Sequence, residues 1–94
     1  DPTEVDAGHY KVEFENDRVR VLRIKYGPGE TSVMHYHPNN IAVFLTDLDV
    51  KMKSPGGTEQ EVMTAAGTHM FAPPEHHLPT NGEGPLEVIL VELK

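Results

Sequence analysis

The feature of this sequence that most constrains its fold is a series of short apolar segments, each bounded by turn-forming residues. The segments are rich in Val, Ile, Leu and Thr, and the clusters between them contain Gly, Pro and Asn. No convincing helical pattern interrupts them. We predict strands at residues 19–26, 33–37, 41–46, 50–53, 59–64, 69–72 and 87–93. Short strands at this spacing predict an all-β sandwich or barrel.

Chain length limits the size of the core. With 94 residues, 37% of them apolar and 6% aromatic, the chain has room for one domain with a modest core. A bound metal or a partner subunit would add stability, and we expect a homodimer. The polar residues 1–13 predict an N-terminal arm, either loose or laid along a sheet edge, and residues 14–94 predict the β-domain.

Charge and cysteine content exclude several kinds of partner and site. Fifteen acidic and eight basic side chains give a net charge of −7, which repels the phosphate backbone of nucleic acid. The absence of cysteine excludes disulfides, thiolate zinc sites and cysteine nucleophiles. Any metal must therefore be bound by imidazole and oxygen.

The apolar segments are too short to span a bilayer, and no leader sequence is visible. We therefore expect a soluble protein with no membrane partner. The sequence begins at Asp1 without an initiator methionine, so a cytoplasmic location and a periplasmic one after removal of a leader both stay open.

Two histidines are spaced so that both could bind the same metal ion. His35 and His37 lie two residues apart in a predicted strand, so their rings leave the same face and are able to converge on one ion. Histidine pairs at this spacing also occur as ordinary surface residues. The wider sequence context must decide between these interpretations.

The residues around this pair follow a longer pattern. That pattern is a glycine, five residues, His-x-His, three or four residues, a glutamate, six residues and a glycine. Gly29, His35 and His37 match it. Ile41 stands where the glutamate is expected, and Leu48 stands where the closing glycine is expected.

A second pattern follows later in the chain. It is a glycine, five residues, Pro-x-Gly, two residues, a histidine, three residues and an asparagine. Gly67, Pro73, His77 and Asn81 match it, whereas Glu75 replaces the glycine and the segment before His77 is one residue shorter. With both patterns in order over residues 26–81, the chain resembles the cupin family, and most of all the small single-domain cupins that include the BauB-type β-alanine degradation group.

This resemblance implies an RmlC-like jelly-roll β-barrel with a metal site near its mouth. By the family pattern, His35, His37 and His77 would bind a divalent ion, which could be Fe, Mn, Ni, Cu or Zn. Loss of the glutamate makes such a site more positive, so it would favour anionic or bidentate oxygen ligands. The alternative is that Ile41 marks a site that has lost its metal.

Further residues near the second pattern have open roles. Glu75 is our candidate catalytic residue, since it could act as a general base, a replacement ligand or a hydrogen-bond partner of His77. The alternative interpretation of Glu75 is that it lies in a solvent-exposed loop and has no role in the site. We favour this alternative more strongly for His76. The role of His69 is open, and we expect His9, in the arm, to be exposed.

Strand alternation predicts which side chains line the pocket. If His37 and Ile41 point inward, then Val43 and Leu45 also line the pocket and Phe44 lies outside. An exposed Phe44 would indicate either a dimer interface or packing beneath the arm.

The sequence leaves the function open between two main classes. The first is a metal-dependent cupin that acts on a small oxygen-bearing organic molecule, as a dioxygenase or an isomerase. The second is a non-catalytic module that binds or senses a metabolite and has a degenerate or empty metal site. A structural β-sandwich with incidental histidines is a third reading, and it leaves the paired patterns unexplained. For the metal-binding class we expect release of the ion below about pH 6, because only neutral histidine ligates.

Overall fold

Nine strands and one short helix make up the regular structure of this computed structural model, which describes all residues, 1–94. In chain order they are α1 (Pro2–Val5), β1 (Tyr10–Glu15), β2 (Val19–Tyr26), β3 (His35–His37), β4 (Asn40–Phe44), β5 (Leu48–Lys53), β6 (Glu59–Thr64), β7 (His69–Ala72), β8 (Glu75–Asn81) and β9 (Leu86–Leu93). All seven predicted strands are present, three with the predicted bounds and the others within two residues of them. The helix has four residues and is far too short and polar to cross a membrane.

The strands β1 and β8 were not predicted. β1 begins in the predicted arm and pairs with β2 along its length, so the boundary drawn at residue 13 falls inside this strand. β8 contains Pro79 and several polar residues, which weaken its strand signal. Pairing with β3 on one side and with β5 on the other stabilises β8 as a strand, although its residues have a low intrinsic strand propensity.

The strands form two antiparallel sheets that enclose the core. One sheet has the order β1-β2-β9-β4-β7 and the other the order β3-β8-β5-β6. The buried apolar core takes most of its side chains from the five-stranded sheet, including Leu22 and Leu90, while Leu48 and Val50 come from β5. The all-β prediction is therefore confirmed.

The two sheets do not close into the hydrogen-bonded barrel that we expected. β3 has only three residues and β7 only four, and Pro38 and Pro73 directly follow them. Proline has no N–H to donate, so each of these strands ends there and its ladder stays short. The architecture is thus a sandwich with open edges.

The glycines of both sequence patterns lie at turns. Gly29 has a φ of 71° and Gly67 a φ of 83°, a left-handed conformation in which side chains other than glycine are strained. The patterned Asn81 is buried and donates to the carbonyls of Gly27 and Gly84 at 2.9 and 2.8 Å. Asn81 therefore joins the loop after β2 to the loop before β9.

The prediction of which β4 side chains point inward is wrong. Phe44 is buried at 4% exposure, whereas Ile41 and Leu45 are 38% and 47% exposed. The turn between β3 and β4 breaks the alternation, so that His37 and Asn40 are both buried although they are three residues apart. Phe44 is consequently a core residue and forms no interface.

We predict that Leu22→Ala lowers the free energy of unfolding by about 2–5 kcal/mol, because Leu22 is fully buried and its loss leaves a cavity. The measurement is urea denaturation followed by circular dichroism. Met63→Ala is the control, since Met63 on β6 is 67% exposed and should change stability by less than about 0.5 kcal/mol. Equal losses in both variants would contradict the assignment of the core.

Candidate metal centre

Antiparallel pairing of β3 with β8 brings the three predicted histidines together. His35 and His37 point inward from β3, and His77 lies directly opposite His35 on β8. Each pair of imidazole rings has its centroids 4.7–4.9 Å apart. One nitrogen from each ring lies within 4.8 Å of the other two, so the cluster is compact enough to share an ion.

Hydrogen bonds fix the orientation of all three rings. In each histidine, Nδ1 faces an oxygen that can only accept, so Nδ1 carries the proton and Nε2 carries the lone pair that a metal would use. The three accepting oxygens are the Val33 carbonyl at 2.7 Å from His35, Glu92 Oε2 at 2.9 Å from His37, and Glu75 Oε1 at 3.1 Å from His77. This donor set fits a transition metal that accepts imidazole nitrogen.

Burial keeps two of the rings neutral. It lowers the pKa of His35 to about 4 and that of His77 to about 3, because desolvation penalises the protonated ring and the neighbouring histidines add repulsion. Neutral imidazole is the form that ligates. Both rings are therefore neutral at neutral pH.

Glu92 is a site residue that the sequence patterns missed. It is 2% exposed, accepts from His37 and from the Arg20 guanidinium at 2.7 Å, and Arg20 in turn donates to Asp1. Burial opposes its ionisation, but the hydrogen bonds from His37 and Arg20 outweigh burial and lower its pKa. The sequence contains a signal that could have identified Glu92. Leu86, Val88 and Leu90 alternate along the predicted strand, and Glu92 continues this alternation on the same buried face.

Tyr10 is a second site residue that we did not predict. Its hydroxyl lies 3.1 Å from His35 Nε2 and 2.8 Å from the Tyr26 hydroxyl. Because His35 Nδ1 donates to Val33, Nε2 must accept, so Tyr10 donates to His35 and Tyr26 donates to Tyr10. Burial raises the pKa of both phenols, to about 12 for Tyr26, and keeps them protonated.

The remaining histidines lie outside the cluster. His69 and His76 are exposed on β7 and β8. His9 is not exposed as expected: its side chain is only 18% accessible, it stacks on Tyr26 at 4.1 Å, and its ring nitrogens face Asp6 and Glu30. Its role is to attach the N-terminal segment to β2.

A cavity of about 220 Å³ lies between the sheets beside the histidines. Fourteen of its twenty lining residues are apolar, and His37, His77, Glu75 and Tyr10 supply polar groups. Ala42 and Phe44 line it in place of the predicted Val43 and Leu45, which follows from the altered facing of β4. Two larger and more open hollows flank the N-terminal segment, and none of the three histidines lines either of them.

Several solved structures share this fold. A cupin domain protein from Bordetella pertussis is 22% identical, with 90% of this chain and 91% of that chain covered and a TM-score of 0.83. An RmlC-like cupin family protein with a double-stranded β-helix fold, from Methanocaldococcus jannaschii, is 16% identical, with 94% and 83% covered and a TM-score of 0.67. Fe(II)-HppE with the alternative substrate (S)-1-HPP is 14% identical, with 88% and 48% covered and a TM-score of 0.64.

These likenesses establish the fold and leave the activity to be argued from the site. No family model and no curated protein matched the chain. The predicted grouping with the BauB-type proteins stays a prediction.

We predict that acid destabilises the metal-free protein through the buried histidines. Their folded pKa values are depressed, so the unfolded chain binds more protons below about pH 6.5, and stability is lost as pH falls from there toward about 3 to 4. The measurement is the unfolding midpoint between pH 7 and pH 4. His77→Gln should flatten this dependence, whereas His76→Gln, an exposed neighbour, should leave it unchanged; the reverse order would contradict the burial argument.

Proposed function

We propose that this cupin-fold protein binds one divalent transition-metal ion through Nε2 of His35, His37 and His77 and holds a small oxygen-bearing organic molecule in the adjoining cavity. The observation that carries the proposal is the hydrogen bonding of all three Nδ1 atoms, which leaves the lone pair of each ring on Nε2, in a cluster that offers one nitrogen per ring within 4.8 Å of the other two. Three protein ligands leave open positions on the ion for a substrate or water.

The lining of the site indicates the kind of molecule that it holds. Three neutral imidazoles leave the full charge of the ion uncompensated, which favours a carboxylate or a pair of oxygens on the ligand. The apolar walls fit a small carbon skeleton, and the cavity is smaller than the range of about 300–1,000 Å³ typical of drug-sized ligands. A short-chain keto acid or diketone has both properties.

We propose dioxygenation or isomerisation at a carbon next to a carbonyl as the reaction class. The Glu75 carboxylate borders the cavity and accepts from His77, so it is placed to take a proton from a bound molecule. Its side chain is 46% exposed, which allows the proton to exchange with solvent. A bound ion would lower the pKa of an adjacent carbon acid by stabilising the developing charge on its oxygen.

The second candidate function is metabolite binding without catalysis. The observation that favours it is the bond from Tyr10 to His35 Nε2, because this bond satisfies one proposed ligand atom without an ion. Metal binding has to break it. Calorimetric titration of short keto acids into protein treated with a chelator distinguishes the two: binding of equal strength with and without metal would support the non-catalytic module.

Elemental analysis of protein purified without nickel resin is the decisive test of the metal site. We expect close to one transition-metal ion per chain in the wild type and none after His35, His37 and His77 are all changed to alanine. The matched control changes the exposed His69 and His76 to alanine and should retain the ion. Equal metal content in both variants, or none in the wild type after reconstitution with iron, nickel or zinc, would contradict the proposal.

We predict that Glu92→Gln weakens metal binding by about 10–100-fold, because the carboxylate that orients His37 and raises its basicity is lost. The measurement is competition with a chromophoric chelator. Glu87→Gln is the control, since Glu87 lies on the same strand but accepts from Arg23 away from the cluster. An unchanged affinity in Glu92→Gln would show that His37 needs no such support.

A further inference from the structure

The strands β6 and β7 are free edges on the same side of the sandwich. Each is the last strand of its sheet, and no hydrogen-bonded ladder joins one to the other. The turn at residues 65–68 connects them at one end only. We call the space between these two strands the β6–β7 gap.

Met70 on β7 faces the interior and is nevertheless exposed. It pairs with Ala42, which in turn pairs with the buried core residue Leu90. Residues that pair in register lie on the same face of a sheet, so the Met70 side chain points toward the core. Met70 lines the cavity, yet it is 40% exposed.

Gln60 on β6 has the same position in the other sheet. It pairs with Met52, which pairs with the buried Pro79, so Gln60 also lies on an inner face. Like Met70, it lines the cavity and is exposed. The cavity therefore opens to solvent at the β6–β7 gap.

The opposite side of the sandwich, between β1 and β3, is closed. Tyr10 of β1 donates to His35 of β3, and both residues, like His37, are only 3% exposed. The histidines consequently lie toward the closed side of the cavity, and the β6–β7 gap is its open side.

The cavity is long and narrow. Its lining residues on the four-stranded sheet come from every strand, from His37 on β3 to Gln60 on β6, and three strand spacings make about 14 Å. Over that length a volume of 220 Å³ gives a cross-section of about 16 Å². Carbon atoms in contact are about 4 Å apart, so this section is about one extended carbon chain wide.

The walls between the histidines and the gap are apolar. Val50 and Met52 line them from one sheet, and Ala42 and Leu90 line them from the other. Each methylene group that leaves water for such walls stabilises the bound molecule. The cavity therefore favours a hydrocarbon tail over a polar one.

We propose that the cavity takes molecules with one unbranched carbon chain, whose polar head lies at the histidines and whose tail runs to the β6–β7 gap. Met70 determines which tails fit, because its flexible side chain borders the open end of the cavity. The nature of the head rests on the proposed function. The fit of the tail depends only on the apolar walls and the gap.

Metal-free protein tests the tail site without the metal. The probes are n-hexanol and neohexyl alcohol, isomers that differ in branching alone, and the measurement is a ligand-detected NMR titration. We expect n-hexanol to bind at least about tenfold more tightly, because one misplaced methylene in an apolar pocket has an effect of this size. Equal affinities, or no binding of n-hexanol, would overturn the proposal.

A bulky substitution at the open end tests the role of Met70. Met70→Trp should weaken n-hexanol binding at least about tenfold, because the larger side chain occupies the end of the cavity. Met63→Trp is the matched control, since Met63 is 67% exposed on β6 and does not line the cavity. It should leave the affinity unchanged.

Both substitutions are at exposed residues, so folding should be retained, which circular dichroism checks. Unchanged affinity in Met70→Trp, or equal weakening in Met63→Trp, would overturn the role given to Met70.

The straight-chain keto acid α-ketocaproate separates the tail site from the proposed function. We expect zinc-reconstituted protein to bind it more tightly than metal-free protein does, because the ion binds the oxygens of its head. If zinc had no effect on α-ketocaproate while n-hexanol kept the expected preference, the tail site would be supported and the proposed function contradicted.

Discussion

The short antiparallel pairing between β3 and β8 is the contact on which the candidate site depends. It consists of three residue pairs and places His35 opposite His77, with His37 on the same face. A slip of one residue would turn the His77 ring to the opposite face and disperse the cluster. β8 also pairs with β5, whose buried residues belong to the core, so the register of the site is fixed by the packing of the whole second sheet.

A chain of polar contacts connects the site with the N-terminus. Asp1 accepts from Arg20, Arg20 donates to Glu92, and Glu92 accepts from His37. An ionised carboxylate is costly to bury alone, and its two donors offset that cost. Tyr10, the first residue of β1, donates to His35. The N-terminal segment, predicted to be an arm either loose or laid along a sheet edge, leads into the edge strand β1 and supplies one side chain that contacts the site and the outer end of the network.

β4 serves the two sides of the sheet differently. Its inward residues Asn40, Ala42 and Phe44 line the cavity, and its outward Ile41 lies between Val91 and Phe71 on the other face of the sheet. The turn after His37 sets this facing. Strand alternation counted from the histidines predicts Ile41 at the metal site and Phe44 at the surface. In the structure Ile41 is exposed, and Phe44 is buried and lines the cavity.

Local periodicity in the sequence determined seven of the nine strands, their approximate bounds and the common face of His35 and His37, because alternation in a strand depends only on neighbouring residues. The resemblance to cupins added His77, whose position opposite His35 is a matter of topology. Only the tertiary structure placed Glu92 and Tyr10 beside the histidines, since they lie 55 and 25 residues from their partners. It also decided the facing of β4, because a turn resets the alternation and only packing against the opposite sheet selects which side is buried.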